Sequence, residues 1–399
     1  MNVLVFTSLF PNNVQPNLGI FIAERIARVA RLPGVAVKVV APVPWYPPLL
    51  SGWRSRYRRV LAAETVRGLE VLHPRYAMIP KVGMRHHGAM MLRSVIEPIR
   101  ALHARQRFDV IDAHYLFPDG YAGIGLGRAL GLPVVVSARG SDVNRFAELP
   151  DIRPMLESTL ARADGVIAVS SALRDRMTEL GAPATTIDVI PNGVDLAVYL
   201  PRDRREARQR LGLPDRPTIL YVGNLVPGKG LETLIDAFSR LRGGDPARRA
   251  GLLLVGGGLL RPALEARAAS LGVASEVRFV GEVAHAELAD WYSAANTLCL
   301  ASEREGWPNV LLEALACGTP VVATRVGGIP EIVTSDRVGI LADGTPDAIA
   351  AALQEALRRE WDRAALRALA EPFTWERAAA AVGRVFERAL VRRARMGGP

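Results

Sequence analysis

Short apolar runs, rich in Val and Ile and without polar alternation, recur along this chain with longer amphipathic stretches between them. That alternation constrains the fold more than any other feature. Residues 2–6, 35–41, 110–113, 134–138 and 166–170 read as strands buried on both faces. Residues 20–31, 85–106, 120–130, 153–162 and 172–180 read as the helices between them. A second series follows, with strands expected at 219–223, 251–256, 277–280, 297–301 and 321–324. Its helices are expected at 231–242, 259–271, 286–294, 309–316, 330–333 and 346–358. Repeated strand–helix alternation predicts parallel sheets covered by helices on both faces. The 399 residues suffice for two such domains. Residues 195–217 are polar and basic and carry Pro201, Pro214 and Pro217, so the linker is placed at 199–217. This gives an N-terminal domain at 1–198 and a second at 218–374. An arginine-rich helix at 375–399 is expected to pack back on the first. Two doubly wound domains facing across a cleft would bind ligands outside the carboxyl ends of their strands.

Composition removes several classes. Apolar residues make up 49% and charged residues 23%, the balance of a soluble globular chain. Cys299 and Cys317 are too few for a disulfide framework or a cysteine zinc site. The opening MNVLVFTSLF lacks a basic leader region and reads as a first strand. No run of about 18 apolar residues exists, so a cytosolic or peripherally bound protein is expected. The net charge of +10 invites a nucleic-acid reading, but its distribution argues otherwise. Residues 45–108 hold twelve basic residues, among them Arg54, Arg56, Arg58, Arg59, Lys81, Arg85 and Arg93, against Glu64, Glu70 and Glu97. They sit among Trp45, Tyr46, Trp53, Tyr57, Met84, Met90 and Met91, a mixture suited to an anionic membrane surface or a lipid-linked ligand. No nucleic-acid-binding signature accompanies them. His86 and His87 are adjacent and point apart on a helix, so no metal site is assigned to them.

The segment from Glu305 to Val322, EGWPNVLLEALACGTPVV, carries the most chemistry. A strand ends near Ala301, a loop carries Glu305, and a helix starts near Asn309 with Pro308 at its entry. The first-turn amides of Asn309, Val310 and Leu311 are then placed to hold an anion. Glu313, one turn further on, can accept from two vicinal hydroxyls, as a ribose offers. The plainer reading is a routine strand–helix–strand unit with Glu305 on a solvated loop. Two glutamates eight positions apart in this context argue against it.

This segment resembles the E-x7-E signature of glycosyltransferase family 4, retaining enzymes of the GT-B fold that include exopolysaccharide and cell-envelope sugar transferases. The resemblance extends over almost the whole chain. It takes in Phe10-Pro11 with Pro16-Asn17-Leu18-Gly19-Ile20-Phe21, Arg139-Gly140-Ser141-Asp142, Ile190-Pro191-Asn192-Gly193-Val194-Asp195 and Val222-Gly223-Asn224 through Lys229-Gly230. The resemblance implies a nucleotide-diphosphate sugar donor, UDP or GDP, bound to the second domain, and a carbohydrate or lipid-linked acceptor on the first. Gly19 would let backbone approach the diphosphate, although from its position alone a simple turn glycine is equally good. Lys229 would stabilise the leaving diphosphate. Asn224 stands where the family usually has arginine and offers a hydrogen bond without charge. Arg139 is a candidate contact to donor or acceptor that would compensate. Glu305 would contact sugar hydroxyls, and His114 would position the sugar and stabilise the transition state. No D-x-D occurs, so no metal is expected, with Lys229, Gly19 and the helix amides in its place. The run Gly256-Gly257-Gly258 lacks G-x-G-x-x-G spacing and reads as a tight turn. Two competing functions remain. A dinucleotide-dependent oxidoreductase lacks its glycine fingerprint here, and a non-catalytic GT-B binding protein would have no need of Gly19, His114, Lys229, Glu305 and Glu313.

Overall fold

The computed structural model describes residues 1–46, 52–78, 83–241 and 250–395, with backbone only at 52–55. Lys81, the side chains of Trp53 and Arg54, and residues 396–399 of the last expected helix lie outside the described residues. The chain divides into two units, Met1–Asn192 with Trp375–Pro399, and Gly193–Thr374.

In the first unit, strands β1 (Asn2–Phe6), β2 (Ala36–Val40), β7 (Val110–His114), β8 (Val134–Ser137) and β9 (Gly165–Ala168) arise from the expected apolar runs. They are joined by α1 (Ile20–Val29), α2 (His87–Arg105), α3 (Tyr121–Leu130), the short α4 (Ser141–Asn144) and α5 (Arg153–Arg162), with α6 (Ser171–Thr178) following β9. Among the described residues the sheet has eight strands, completed by β4 (Ala63–Val66), β5 (Leu69–Leu72) and β10 (Ile187–Val189), in the order β10-β9-β8-β7-β1-β2-β5-β4. Only β4 runs antiparallel, and β3 (Val43–Trp45) pairs separately with β6 (Arg75–Ala77). The last helix, α15 (Trp375–Arg395), lays Ala379, Val382, Val385 and Phe386 into a core shared with Ile22, Ile26 and Val29 of α1.

The basic segment contains strands the sequence reading did not anticipate. β4 and β5 form an edge hairpin whose two-residue turn, Arg67-Gly68, has positive φ at both positions, 52° and 78°. In the apolar run at 84–96, Met84, Met90, Leu92 and Ile96 are half-buried. Met91 and Val95 are fully buried, because the helical period of α2 turns them, with Ile99, toward the core.

The second unit is a parallel sheet of β11 (Thr218–Val222), β12 (Gly251–Val255), β13 (Val277–Gly281), β14 (Thr297–Leu300), β15 (Val321–Thr324) and β16 (Gly339–Ala342), in the order β13-β12-β11-β14-β15-β16. Around it lie α8 (Leu231–Arg240), α9 (Arg261–Ser270), α10 (Leu288–Ala294), α11 (Asn309–Ala316), α12 (Ile329–Ile332), α13 (Pro346–Arg358) and α14 (Arg363–Ala370). Residues 199–217, expected as a linker, are instead folded onto this unit through α7 (Arg204–Arg210). Buried Arg208 anchors them. It donates to the Ala294 carbonyl (3.1 Å), Asp215 (2.6 Å) and Asn296 (2.7 Å), and Arg202 and Arg210 both pair with Asp290 at 2.7 Å.

Each sheet reverses its direction of growth once beside its first strand, between β1 and β7 in the first unit and between β11 and β14 in the second. At such a switch point the loops leaving the two strands diverge, opening a crevice at the carboxyl ends. These two places hold nearly all the candidate residues.

Candidate active site

In the second unit, the loop after β11 carries Asn224 and Lys229, and the loop after β14 carries Glu305. Gly230 brings the loops together. It adopts φ 63°, and a Cβ there would lie 1.7 Å from the Ala301 carbonyl oxygen, so no other residue permits this approach. Glu303 N donates to the Gly228 carbonyl at 3.0 Å and ties the loops again. The Lys229 ammonium then meets Glu305 Oε1 at 2.6 Å, and the same oxygen accepts from Ser302 Oγ at 2.8 Å. Glu305 is nearly buried, while Lys229 keeps about a third of its side chain exposed, at 31%. Asn224 is exposed, its carbonyl accepting from Tyr221 Oη at 3.0 Å. The glycine run lies beneath this loop, with Leu225 N donating to the Gly257 carbonyl at 2.8 Å.

Helix α11 starts at Asn309, with Pro308 ahead of it and no side chain capping it. Of the three amides expected to be open there, that of Leu311 is not. It donates to the Pro308 carbonyl at 3.1 Å because the first turn is tight. Val310 is half-buried, and the Asn309 side chain donates to the Gly193 carbonyl at 3.1 Å.

Glu313 is buried, and its partners carry no local signal in the sequence. Tyr292 Oη donates to Glu313 Oε2 at 2.6 Å, and His285 Nε2 lies 3.2 Å from Oε1. Tyr199 backs this group, its hydroxyl donating to the His285 carbonyl at 3.1 Å. A carboxylate has about four lone-pair sites, so two remain for a diol. Burial, with the Glu313 charge beside it, pushes the Tyr292 phenol well up and keeps it a donor.

In the first unit, Gly19 precedes α1 with φ 61°, where a Cβ would fall 2.1 Å from the Leu9 carbonyl oxygen. The fold of the loop after β1 therefore requires glycine whether or not a ligand approaches. Asp119, in the loop after β7, holds this first loop. It accepts from the Ser8 amide and, at 3.1 Å, from Ser8 Oγ. Burial pushes its carboxyl up to about 7. The native state thus binds a proton that the unfolded chain has already released, and stability falls as pH rises from the ordinary carboxylate range to about 7. Asp119→Asn should remove that fall. Urea unfolding at pH 5 and pH 8 should show the native chain losing stability relative to the variant, and an unchanged difference between them would contradict this.

His114, at the end of β7, is fully buried. Its Nδ1 lies 2.8 Å from Arg139 Nη2 and 3.2 Å from Arg25 Nη2, and its Nε2 lies 3.0 Å from Asp112 Oδ2. Burial lowers its pKa to about 4. Burial also opposes ionisation of Asp112, but His114, Arg25 and Arg139 together hold its carboxyl below the usual range. Arg139 is half-buried and donates through Nη1 to Asn192 Oδ1 at 2.8 Å. Asp142 shapes the loop that presents it, accepting from the amides of Leu116 (3.0 Å), Arg139 (3.0 Å) and Gly140 (2.9 Å). Arg25 and Asp112 went unnoticed in the sequence, where one is a helix arginine and the other a strand aspartate. Among the described residues no three His, Cys, Asp or Glu side chains gather as a metal ion would require.

These loops lie in segments with known relatives. The profile of glycosyl transferases group 1 matches residues 203–371, and that of Glycosyltransferase Family 4 matches residues 23–198. A D-inositol 3-phosphate glycosyltransferase of Frankia alni is 33% identical over 353 residues, which are 82% of this chain and 86% of that protein. The chain belongs to glycosyltransferase family 4. Another D-inositol 3-phosphate glycosyltransferase, from Rhodococcus opacus, is 36% identical over 300 residues, 70% of this chain and 67% of that protein. The GT-B fold of family 4 is seen in sucrose-phosphate synthase from Thermosynechococcus elongatus (TM-score 0.79, 24% identity, 98% of this chain and 99% of that one). It is seen again in Anabaena HepE in complex with UDP (TM-score 0.72, 19% identity, 97% of this chain and 100% of that one). The family 4 match begins after Gly19 but covers His114 and Arg139, and the group 1 match covers Asn224, Lys229, Glu305 and Glu313.

Proposed function

We propose that this family 4 glycosyltransferase holds a UDP- or GDP-sugar on its second unit and transfers the sugar with retention at the anomeric carbon. The observation that carries the reading is the Lys229–Glu305 pair, joined at 2.6 Å at the switch point of the second sheet. A cation and a carboxylate there suit the two ends of the reacting bond. The ammonium stabilises charge gathering on the leaving diphosphate, and the carboxylate favours positive charge on the sugar ring while accepting from its hydroxyls. Glu313 takes the ribose diol. The donor's phosphate oxygen takes the proton of the incoming hydroxyl in a front-face displacement, so no separate protein base is needed. Asn224 adds a neutral hydrogen bond to the diphosphate. On the same unit, the Val310 amide in the first turn of α11 adds an anion contact.

Incubation with UDP-, GDP- and ADP-hexoses tests this by the release of free nucleotide. Release from none of them, or a change in nicotinamide absorbance with dinucleotide present, would favour the other functions. Because Lys229 supplies the charge, the same release should persist in EDTA. A loss that magnesium or manganese restores would refute metal independence.

For the acceptor, the relatives' printed names make an inositol phosphate a compound to try. The charge of the first unit favours a carbohydrate carried at an anionic membrane, in polysaccharide or glycolipid assembly at the cytoplasmic face. Arg58 and Arg59 are exposed, and so is Trp45 of the same segment, at 49%. Each such cation near an anionic leaflet contributes about 1 kcal/mol. Sedimentation with anionic liposomes should show binding at low salt that fades at high salt and weakens when Arg54, Arg56, Arg58 and Arg59 are neutralised. No binding at any salt would instead leave an enzyme of soluble acceptors.

A further inference from the structure

Around His114 the hydrogen-bond chemistry leaves one solution. Guanidinium groups can only donate, so the contacts from Arg25 Nη2 (3.2 Å) and Arg139 Nη2 (2.8 Å) require Nδ1 of His114 to be the acceptor. Its proton then sits on Nε2 and is donated to Asp112 Oδ2 at 3.0 Å. Both ring nitrogens are consumed, and none of the side chain reaches the surface. Arg139, by contrast, is half-buried and keeps N–H groups beyond those given to His114 and Asn192. Around it the cluster is not fully paired, and Asp112 Oδ1 is a buried acceptor without a partner. Arg139 Nε and Arg25 Nε and Nη1 are buried without partners. The donors of Arg139 that remain are what a ligand oxygen can take, while Asp112 and Asp142 both act on its charge.

We infer that His114 is a positioning residue which, backed by Asp112 and Arg25, aims the Arg139 guanidinium at a phosphate oxygen of the substrate. The inference rests on the glycosyltransferase reading and reassigns His114, since an imidazole held in this way acts through Arg139. Asp112 fixes the tautomer, as a carboxylate behind a histidine does elsewhere. Arg25, further held by Ser137 Oγ at 2.7 Å, fixes the ring from the other side. The low pKa of about 4 fits, because a protonated imidazole would point an N–H at two cations.

The position of the acceptor atom supplies the test. An asparagine side chain places its oxygen where histidine carries Nδ1, and a glutamine reaches only to the place of Nε2. His114→Asn should therefore retain nucleotide release close to the native rate, while His114→Gln and His114→Leu lose about tenfold to a hundredfold. Adding His114→Leu to Arg139→Ala should change the rate by no more than about twofold, because both substitutions remove one interaction. Calorimetry with UDP and GDP, set against the acceptor KM, shows whether the oxygen belongs to the donor diphosphate or to an acceptor phosphate. A donor contact weakens nucleotide affinity in Arg139→Ala, and an acceptor contact raises only the acceptor KM. Independently of any activity, 15N NMR of the native chain at pH 7 should show His114 as the neutral Nε2–H tautomer. Retention in Gln but not Asn, additive losses in the double variant, or an Nδ1–H or doubly protonated ring would overturn the inference. A native chain that releases no nucleotide would instead sink the glycosyltransferase reading, with the NMR result still deciding the role of His114.

Discussion

Lys229→Ala should slow sugar transfer by about 10²- to 10³-fold, the usual loss when one preorganised group facing a developing negative charge is removed. The pairing with Glu305 at 2.6 Å is what preorganises it. The ammonium is fixed before substrate arrives, so little rearrangement is spent when charge builds on the leaving diphosphate. Stability should change far less than rate, because Lys229 is about a third exposed and such pairs contribute little to folding. Lys229→Arg should not restore the rate. A planar fork cannot occupy the place of a compact ammonium already bonded to Glu305 Oε1. Steady-state release of nucleotide from the preferred donor, with thermal melts of each variant, measures this. A rate within a few fold of native in Lys229→Ala would remove the cation from the chemistry.

Glu313→Ala should weaken nucleotide binding by about 2–4 kcal/mol, the loss of charge-assisted hydrogen bonds to two ribose hydroxyls. It should also destabilise the fold. Tyr292 Oη, buried and donating at 2.6 Å, would lose its acceptor, and an unsatisfied buried hydroxyl costs about 1–3 kcal/mol. Tyr292→Phe separates the two effects, because it leaves the carboxylate in place while freeing one of its lone pairs. Calorimetric titration with UDP and GDP, alongside urea unfolding, reads both. Native nucleotide affinity in a folded Glu313→Ala would cancel the ribose assignment.

The doubly wound architecture was legible because parallel strands covered on both faces need unbroken apolar runs, and β1, β11 and β15 consist of little else. The edge of the first sheet was not. β4 alternates exposed and half-buried positions, and an Arg-Gly turn carries none of the usual Asn-Gly signal. The linker was misplaced because 199–217 looks like polar connecting chain in every respect but one, the burial of Arg208 by partners some ninety residues away. In the site, the residues bearing recognisable motifs stood out, and Lys229 and Glu305 do meet. The residues that orient them did not stand out. Tyr292, His285, Arg25 and Asp112 acquire their roles only from long-range packing, which no local spacing encodes.

A crystal structure of the chain with its nucleoside diphosphate bound tests the central claim most directly. The account predicts the ribose hydroxyls on the Glu313 carboxylate and the terminal phosphate on Lys229, with the nucleotide lying along the carboxyl ends of β11 and β14. A nucleotide bound elsewhere, or one whose ribose leaves Glu313 bonded only to Tyr292 and His285, would contradict it.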